Sequence, residues 1–356
     1  MISLLYFIIY GISIFIFGIL IFILIYHFKD IIHEKRLDRK SENWNKLLNK
    51  YLNDEIRLEK ISKKLPRDYF YLYDFFKPYL KEFEEENFKK IKRLIEEIKM
   101  NDFFLKKLKN GSRKKKIKAA VFLGKIGDKR ALTYLKKYIY NDDELIRTAS
   151  VWAISEIGEI DLYLTVLKVV LEKNSMTFEA LTELSINFGR NICFKVIDLI
   201  EKYLEDEIDF KEKMGVGNHE LISLFIDVLG YYRFKRSQEV MKKIILGEKK
   251  YYNDELLIHI FKALVKLKVD LEVDLKEFLK HSNWVIRSQT AKYIGNIKSK
   301  DYIDDLVELL KDEKWWVRYY AGESLFKIGK KDLLEEFAKS DKKRSEISNY
   351  VLSLHN

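Results

Sequence analysis

The sequence predicts an all-α protein: an α-α superhelix of stacked helical repeats, preceded by one transmembrane helix. Three observations lead to this prediction. Four windows of the chain repeat one spacing of basic, small and apolar residues, which is typical of stacked helix pairs. The 2 prolines and 14 glycines among 356 residues are too few for the many turns of an all-β fold. The chain also begins with a long apolar run.

The transmembrane prediction rests on residues 1–28. No charged side chain occurs from Ile2 to Phe28, and a helix of that length rises about 40 Å, enough to cross a hydrocarbon core of about 30 Å. A cleaved signal peptide would have a basic residue before the run and a small-residue cleavage site after it, and the sequence has neither. Basic residues follow the run, beginning at Lys29. We therefore expect a single-pass protein of the cell membrane whose C-terminal domain is cytoplasmic.

Residues 29–104 are predicted to form a charged juxtamembrane segment of helices. Apolar residues at steps of three and four predict an amphipathic helix over Asp30–Asn53. The aromatic run Tyr69–Phe76 is expected to pack between helices rather than to bind a ligand. Pro78 is expected to end the helix that contains this run.

Residues 105–356 contain the repeats. The four aligned windows have a basic residue at Lys116, Arg147, Arg287 and Arg318. A small residue follows three positions later, and Leu or Ile follows after seven and after ten positions. This spacing places the apolar residues on one helix face, and the small residue marks the closest approach of neighbouring helices. We expect about seven helix-turn-helix units, with an irregular span between Leu171 and Asp254.

These windows resemble HEAT repeats, of the short bacterial kind described as PBS-lyase-like. In HEAT repeats an Asp in the turn lies six residues before the inner-helix Arg and hydrogen-bonds along the array. Here Asp312 holds that position before Arg318. The other three windows have Asn110, Asn141 and His281 there. The resemblance therefore implies the HEAT fold with an incomplete ladder of acids.

The layout resembles a group of bacterial proteins with one N-terminal membrane helix, a charged linker and a HEAT array. Some members of that group accompany membrane glycosyltransferases of surface-polysaccharide systems. Proteins with HEAT-like arrays also include phycobilin lyases and alkyl-base DNA glycosylases, which normally have no membrane anchor. The resemblance thus implies a membrane-associated protein partner, and it leaves a lyase or ligand-binding activity as the alternative.

The sequence contains no pattern that predicts catalysis. It has no phosphate-binding glycine loop, no H-E-x-x-H zinc motif and no G-x-S-x-G nucleophile turn. No two of the six histidines lie four residues apart. The single cysteine, Cys193, is expected to be a small buried side chain. We therefore expect no enzyme activity, no cofactor and no metal site.

Two surfaces are predicted to bind partners. The first is expected on the concave face and is rich in Trp, Tyr and Arg, the residues that dominate interface hot spots. It comprises Trp284, Arg287, Trp315, Arg318, Tyr319 and Tyr320. Within this region Trp315 and Tyr319 are expected to be partly exposed, whereas Trp316 is expected to lie in the core.

The second surface is a basic run with no acidic residue between Asp102 and Asp128. It comprises Lys106, Lys107, Lys109, Arg113, Lys114, Lys115, Lys116 and Lys118. With a formal net charge of +11 on the chain, this run fits either anionic lipid or an acidic partner. Nucleic acid is disfavoured, because the anchor restricts access and no aromatic residues interleave with the run.

Taken together, these features predict a membrane-anchored cytoplasmic scaffold that binds a protein and positions or regulates a membrane enzyme. Two alternatives remain open at this point. One is a HEAT-type lyase or ligand-binding protein. The other is direct binding of anionic lipid or nucleic acid through the basic run.

Overall fold

The computed structural model describes residues 11–12, 15–25, 41–80, 85–173, 175–247, 251–339 and 342–355. Every extended regular element within these ranges is a helix, and none is a β-strand, which confirms the all-α prediction.

Only part of the predicted transmembrane segment falls within the described ranges. Residues 11–12 and 15–25 are helical, and the rest of 1–28 lies outside them. So do residues 29–40, the start of the predicted amphipathic helix, whose continuation over 41–52 is helical. In the described part of the chain, no helix is both long and apolar enough to cross a membrane.

The chain divides into two compact units, Met1–Lys136 and Lys137–Asn356. After the helical residues 11–12 and 15–25, the helices of the first unit are α1 (41–52), α2 (Leu58–Ser62), α3 (Tyr69–Phe76), α4 (Glu85–Glu97), α5 (Met100–Asn110) and α6 (Arg113–Lys125). Helix α7 (Leu132–Tyr138) contains the division. The boundary predicted between residues 104 and 105 marks where the repeats begin in the sequence and stays a prediction.

Aromatic side chains form the centre of the first unit. Tyr73 of α3 packs against Phe104 of α5 with ring centroids 5.8 Å apart, and Phe104 lies 4.4 Å from Phe122 of α6. Trp44 of α1 meets Phe75 of α3 edge to face at 5.4 Å. The aromatic run of α3 therefore packs between helices, as predicted.

Proline ends the helix that bears this run. Helix α3 stops at Phe76, and a short 3-10 turn over Pro78–Leu80 follows it. This confirms the predicted break, which arises because proline lacks the N–H needed to continue the helix.

The second unit continues as helix pairs. Its helices are α8 (Glu144–Ile157), α9 (Tyr163–Glu172), α10 (Phe178–Asn187), α11 (Ile192–Leu204), α12 (Phe210–Met214), α13 (Asn218–Tyr231), α14 (Ser237–Leu246), α15 (Asp254–Leu267), α16 (Lys276–Leu279), α17 (Trp284–Ile297), α18 (Ile303–Leu309), α19 (Trp315–Ile328), α20 (Lys331–Phe337) and α21 (Lys342–Leu354). Helix α12 lies in the irregular span that the sequence predicts and packs against α9 and α13.

These helices form layers. Helices α8, α10, α13, α15, α17, α19 and α21 pack side by side in that order, and we call them the inner layer. Helices α11, α14, α16, α18 and α20 pack against the inner layer from the outer side, and we call them the outer layer. Each pair buries its apolar face against its neighbours, which one pair alone could not do.

Two of the three repeated positions are buried in all four windows, as their spacing predicts, whereas at the third Ile126 and Ile328 are buried and Ile157 and Ile297 are only partly buried. The small residues Ala119, Ser150, Thr290 and Ala321 all have no exposed surface. The Leu and Ile residues four positions further on, Leu123, Ile154, Ile294 and Leu325, are equally buried. Burying one such aliphatic side chain stabilises the fold by roughly 1.5–3 kcal/mol, so the repeated positions form the core of the array.

The windows end where the backbone turns left-handed. Gly127, Gly158 and Gly329 adopt φ values of 66°, 75° and 89°, which glycine tolerates because it has no Cβ. In the remaining window, the third along the chain, Lys298 adopts the same conformation, with φ of 56°, at a steric cost of roughly 1–2 kcal/mol. The shared stop is thus a backbone geometry, and glycine is its least strained occupant.

Candidate functional site

The inner layer of the second unit carries a groove of about 440 Å³ across α10, α13, α15 and α17. Its polar lining includes Asp227 and Tyr231 of α13, His259, Lys262 and Lys266 of α15, and Lys292 of α17. A concave space of this size is in the range that binding sites occupy.

The sequence of α15 determines which side chains reach the groove. His259, Lys262 and Lys266 recur at steps of three and four residues, so they share one face of the helix. Ile260 and Leu264 lie on the opposite side and are fully buried. Burial of that apolar face fixes the rotation of α15 and thereby presents its basic face to the groove.

The groove carries uncompensated positive charge. The Asp227 carboxylate lies 2.8 Å from His259 Nδ1, and both side chains are largely buried. Lys262 and Lys266 are exposed, and neither has a hydrogen bond or ion pair within the described part of the chain. Lys292 Nζ lies 4.6 Å from the centroid of the Tyr320 ring and 3.4 Å from its hydroxyl. Asp227 is therefore partnered by His259, while the lysines retain capacity for an anion.

Next to the groove lies a group of rings that we call the aromatic cluster: Trp315, Trp316, Tyr319 and Tyr320 of α19 and Tyr350 of α21. Rings four residues apart on α19 stack in parallel pairs. Trp315 and Tyr319 lie 5.2 Å apart at 5°, and Trp316 and Tyr320 lie 6.0 Å apart at 27°. Tyr350 of α21 packs against the cluster, with its ring centroid 5.6 Å from that of Trp315. Lys292 joins the cluster to the groove through Tyr320.

The cluster is open to solvent. Trp316 is 50% exposed and Tyr350 is 44% exposed, while Trp315 and Tyr319 are half-buried, as expected. Burial raises the pKa of the Tyr319 hydroxyl. The expected burial of Trp316 is wrong, because Val317 occupies the core position that Ile286 fills in the preceding repeat.

The two predicted partner-binding arginines are held by the turns of the array. Arg287 donates from Nη1 to the His281 carbonyl at 2.7 Å, and its Nε and Nη2 bind the two oxygens of the Asp312 carboxylate at 2.8 and 3.1 Å. Arg318 is 8% exposed and donates to the Asp312 carbonyl at 2.8 Å. Arg287 uses its Nε, Nη1 and Nη2 donors inside the fold, whereas Arg318 donates from Nη1 and its buried Nε has no hydrogen-bond partner among the described residues. Both side chains therefore stabilise turns, and their role in binding a partner stays a prediction.

The acid that the resemblance implies makes one rung of the ladder. Asp312 accepts from Arg287, which lies one repeat earlier, while its own carbonyl accepts from Arg318. Where the sequence has Asn141 instead, the inner-helix Arg147 donates to the Asn141 carbonyl at 2.8 Å. The bond from arginine to its own turn is thus shared by these repeats, and a carboxylate adds a link between repeats.

Trp284 and the basic run occupy other positions. Trp284 is half-buried at the start of α17. In the first unit, Lys106, Lys107 and Lys109 lie on α5, and Arg113, Lys114, Lys115, Lys116 and Lys118 lie on α6. Lys107 lies over the Phe103 ring at 4.9 Å, and Lys118 lies 3.6 Å from the Asp74 carboxylate. The run is therefore spread over two helices, and an acid from outside the run offsets part of its charge.

Sequence reasoning did not single out the groove residues or Tyr350. Asp227 and His259 lie 32 positions apart and meet only because α13 and α15 pack side by side. One signal was available in the sequence: His259, Lys262 and Lys266 recur at helical spacing and define a basic face opposite the apolar residues of the same segment.

The described residues include the single cysteine of the chain, Cys193. They contain no group of three or more His, Cys, Asp or Glu side chains that could hold a metal ion. Cys193 is buried on α11, and burial raises the pKa of its thiol to about 11. That thiol therefore remains protonated near neutral pH and is a poor nucleophile.

Comparison with known proteins supports the repeat assignment. Residues 271–351 match the family model described as HEAT repeats. These residues contain α16 to α20, the Arg287–Asp312 rung and the aromatic cluster. No curated protein sequence matches the chain.

Two solved structures are similar at low scores. One is human deoxyhypusine hydroxylase in complex with glycerol, with 12% sequence identity and a TM-score of 0.27. The alignment covers 72% of this chain and 96% of the hydroxylase chain. The other is the complex of CpcE and CpcF of phycocyanin lyase from Nostoc sp. PCC7120, with 12% sequence identity and a TM-score of 0.23. The alignment covers 79% of this chain and 94% of the matched chain of that complex.

Proposed function

We propose that this protein is a scaffold that binds another protein through the inner layer of residues 137–356. In this proposal, residues 1–28 anchor the chain in the cell membrane, with the repeats in the cytoplasm. The partner is a membrane-associated protein, such as a glycosyltransferase, which the scaffold positions or regulates. One observation carries the proposal: the aromatic cluster presents Trp316 and Tyr350 to solvent from adjacent packed helices.

Covering the exposed rings of the aromatic cluster with a partner lowers the free energy of the complex. A Trp that is half exposed leaves a large apolar area in water, and a partner that covers it gains free energy in proportion to that area. The stacked ring pairs of α19 hold the cluster in one arrangement, so little conformational entropy is lost on binding. Tryptophan and tyrosine held in this way are the residues that dominate interface hot spots.

Replacing Trp316 with Ala is expected to weaken capture of the protein partner by about thirty-fold, the loss typical of a hot spot of about 2 kcal/mol. The measurement is a titration of the full chain, tagged at its C-terminus and solubilised in mild detergent. The partner is first identified by mass spectrometry of what co-purifies with the intact chain. The thermal unfolding midpoint of the variant should stay close to that of the parent, since Trp316 is not a core residue.

The matched control is Leu246→Ala. Leu246 is 64% exposed at the end of outer-layer helix α14, so this change also removes an exposed apolar side chain. We expect partner capture to be unchanged. Equal capture by the Trp316 variant and the parent would refute binding through the cluster, and enrichment of a small molecule with no protein would favour a ligand-binding function instead.

Removal of residues 1–28 is expected to release the protein from membranes. The intact chain should remain in the membrane pellet after alkaline carbonate extraction, because an apolar spanning helix has no favourable state in water. The shortened chain should be found in the supernatant. If the intact chain is extracted into the supernatant, residues 1–28 are not a membrane anchor. The proposal that the repeats bind a protein would not be affected.

A further inference from the structure

The groove beside the aromatic cluster has a charge pattern that the scaffold proposal does not explain. Lys262 and Lys266 of α15 line the groove together with Lys292 of α17. Neither Lys262 nor Lys266 has an ion-pair partner in the described part of the chain. The lining includes one carboxylate, that of Asp227, and His259 already partners it at 2.8 Å. Three ammonium groups gathered in one concave space favour an anionic occupant.

The spacing of the lysines fits an extended peptide. Lys262 and Lys266 lie four residues apart on one helix, so their positions differ by about 6 Å along the axis. Alternate side chains of an extended chain are spaced by about 6.7 Å on one side. Two carboxylates at alternate positions of an extended segment can therefore meet the two ammonium groups together.

The neighbouring rings favour protein over nucleic acid. Single-stranded nucleic acid binds by stacking bases on open aromatic faces. In the aromatic cluster, Trp315 stacks on Tyr319, and Trp316 stacks on Tyr320, so these faces are partly covered by their neighbours. An apolar side chain can instead pack against the ring edges and against exposed Tyr350 without any rearrangement of the aromatic cluster.

We propose that the groove binds an acidic, extended segment of the partner protein, with carboxylates at Lys262, Lys266 and Lys292 and an apolar side chain against the aromatic cluster. This proposal rests on the scaffold function and specifies the chemistry of its partner. Lys292 belongs to both parts of the surface, because its ammonium lies over the Tyr320 ring at 4.6 Å. The register of the segment follows: its acidic residues bind over α15 and α17, and its apolar residue binds over α19 and α21.

The test uses the full chain in detergent and defined fluorescent peptides. One short peptide carries glutamate at alternate positions followed by tryptophan, and its companion carries glutamine in place of each glutamate. We expect the acidic peptide to bind at least about ten-fold more tightly by fluorescence anisotropy, and increasing salt to reduce the difference. Equal affinity for the two peptides would overturn the proposal.

A matched pair of variants separates the groove from net charge. The variant Lys262→Glu/Lys266→Glu should weaken binding of the acidic peptide by about ten-fold or more. The control Lys276→Glu/Lys280→Glu makes the same charge change at two exposed lysines with the same spacing around outer-layer helix α16. It should leave the affinity within about two-fold of the parent. Equal losses in both variants would show general electrostatic attraction and overturn the groove as the site.

A third probe addresses the other class of occupant. Single-stranded DNA of matched length and charge should bind more weakly than the acidic peptide, and tighter DNA binding that depends on Lys262 and Lys266 would overturn the peptide assignment.

Failure of the groove proposal can be distinguished from failure of the scaffold function on which it rests. Partner capture that depends on Trp316 but ignores the groove lysines would keep the scaffold and discard the acidic segment. If no protein is ever captured, the scaffold itself fails.

Discussion

Replacing Asp312 with Ala is expected to lower the free energy of unfolding by about 3 kcal/mol, the scale of breaking a buried ion pair. The Asp312 carboxylate holds Arg287 by two bonds of 2.8 and 3.1 Å, and the side chains are 10% and 17% exposed. It also accepts the Lys314 N–H at 2.8 Å, which fixes the turn before α19. The variant leaves the guanidinium in a poorly hydrated position with only its bonds to the preceding turn.

Urea unfolding followed by circular dichroism measures this loss, and Glu308→Ala is its control. Glu308 pairs with Lys311 at 3.1 Å, but their side chains are 73% and 46% exposed. Water screens such a pair, so this variant should lose no more than about 1 kcal/mol. A loss for Asp312→Ala no larger than that of Glu308→Ala would contradict a structural role for the rung.

A double substitution identifies the cause of the loss. If the stranded guanidinium is responsible, Arg287→Met in the Asp312→Ala background should recover part of the stability, because the uncompensated charge is gone. If loss of the Lys314 turn contact is responsible, the double variant should be no more stable than Asp312→Ala alone.

The repeated elements of the fold could be predicted from the sequence because their signals are local. The small residue at Ala321, the aliphatic residue at Leu325 and the stop at Gly329 each follow from helix periodicity or from left-handed geometry, and each has the expected role. The same reasoning identified Pro78 as the end of α3. In each case the relevant neighbours lie within a few turns along the chain.

The lateral contacts were less predictable because they depend on how the repeats stack. Arg287 matches the hot-spot composition in sequence, yet its donors reach Asp312, 25 positions away, as well as its own turn. Trp316 was expected in the core because it was matched to the place of Ile286 in the preceding repeat, whereas Val317 fills that place and Trp316 is exposed. An offset of one position along the helix decides the exposure of Trp316, and the turn of the next repeat decides the contact of Arg287.

The groove was not predicted because it has no motif of its own. Asp227 and His259 lie outside the four aligned windows, and nothing in either segment alone indicates their contact. The free charge of Lys262 becomes informative only when its surroundings are known, since an exposed lysine on a helix is ordinary. Binding sites of this kind are properties of the packed array rather than of any single repeat.

Replacing Gly295 with Ala is expected to destabilise the second unit by about 2 kcal/mol, although Ala is the better helix former. Gly295 lies inside α17 where α19 approaches most closely. A Cβ built there would lie 2.6 Å from the Cβ of Ser324 and 2.7 Å from its Cα. Because the second of these atoms belongs to the backbone, no rotamer change relieves the contact, and the two helices must move apart.

The sign of this effect tests the close approach directly. If helix propensity alone decided the outcome, Gly295→Ala would be stabilising by about 1 kcal/mol, and that result would contradict tight packing of α17 on α19. Gly217→Ala is the control, because a Cβ at Gly217 meets nothing within 4 Å and its φ of −56° suits any residue. Because Gly217 is the N-cap of α13 and alanine is a poorer N-cap than glycine, this variant should lose no more than about 1 kcal/mol, less than the Gly295 variant. Thermal and urea unfolding of both variants provide the measurement.

The same substitution has a consequence for binding. Ser324 donates to the Ala291 carbonyl at 2.7 Å, which ties α19 to α17 one turn before Gly295. Lys292 lies on that turn and reaches the Tyr320 ring of α19. Separating the helices would therefore part the groove from the aromatic cluster. Gly295→Ala should weaken the acidic peptide that ends in tryptophan more than the same peptide without tryptophan, because only the first must contact both surfaces at once.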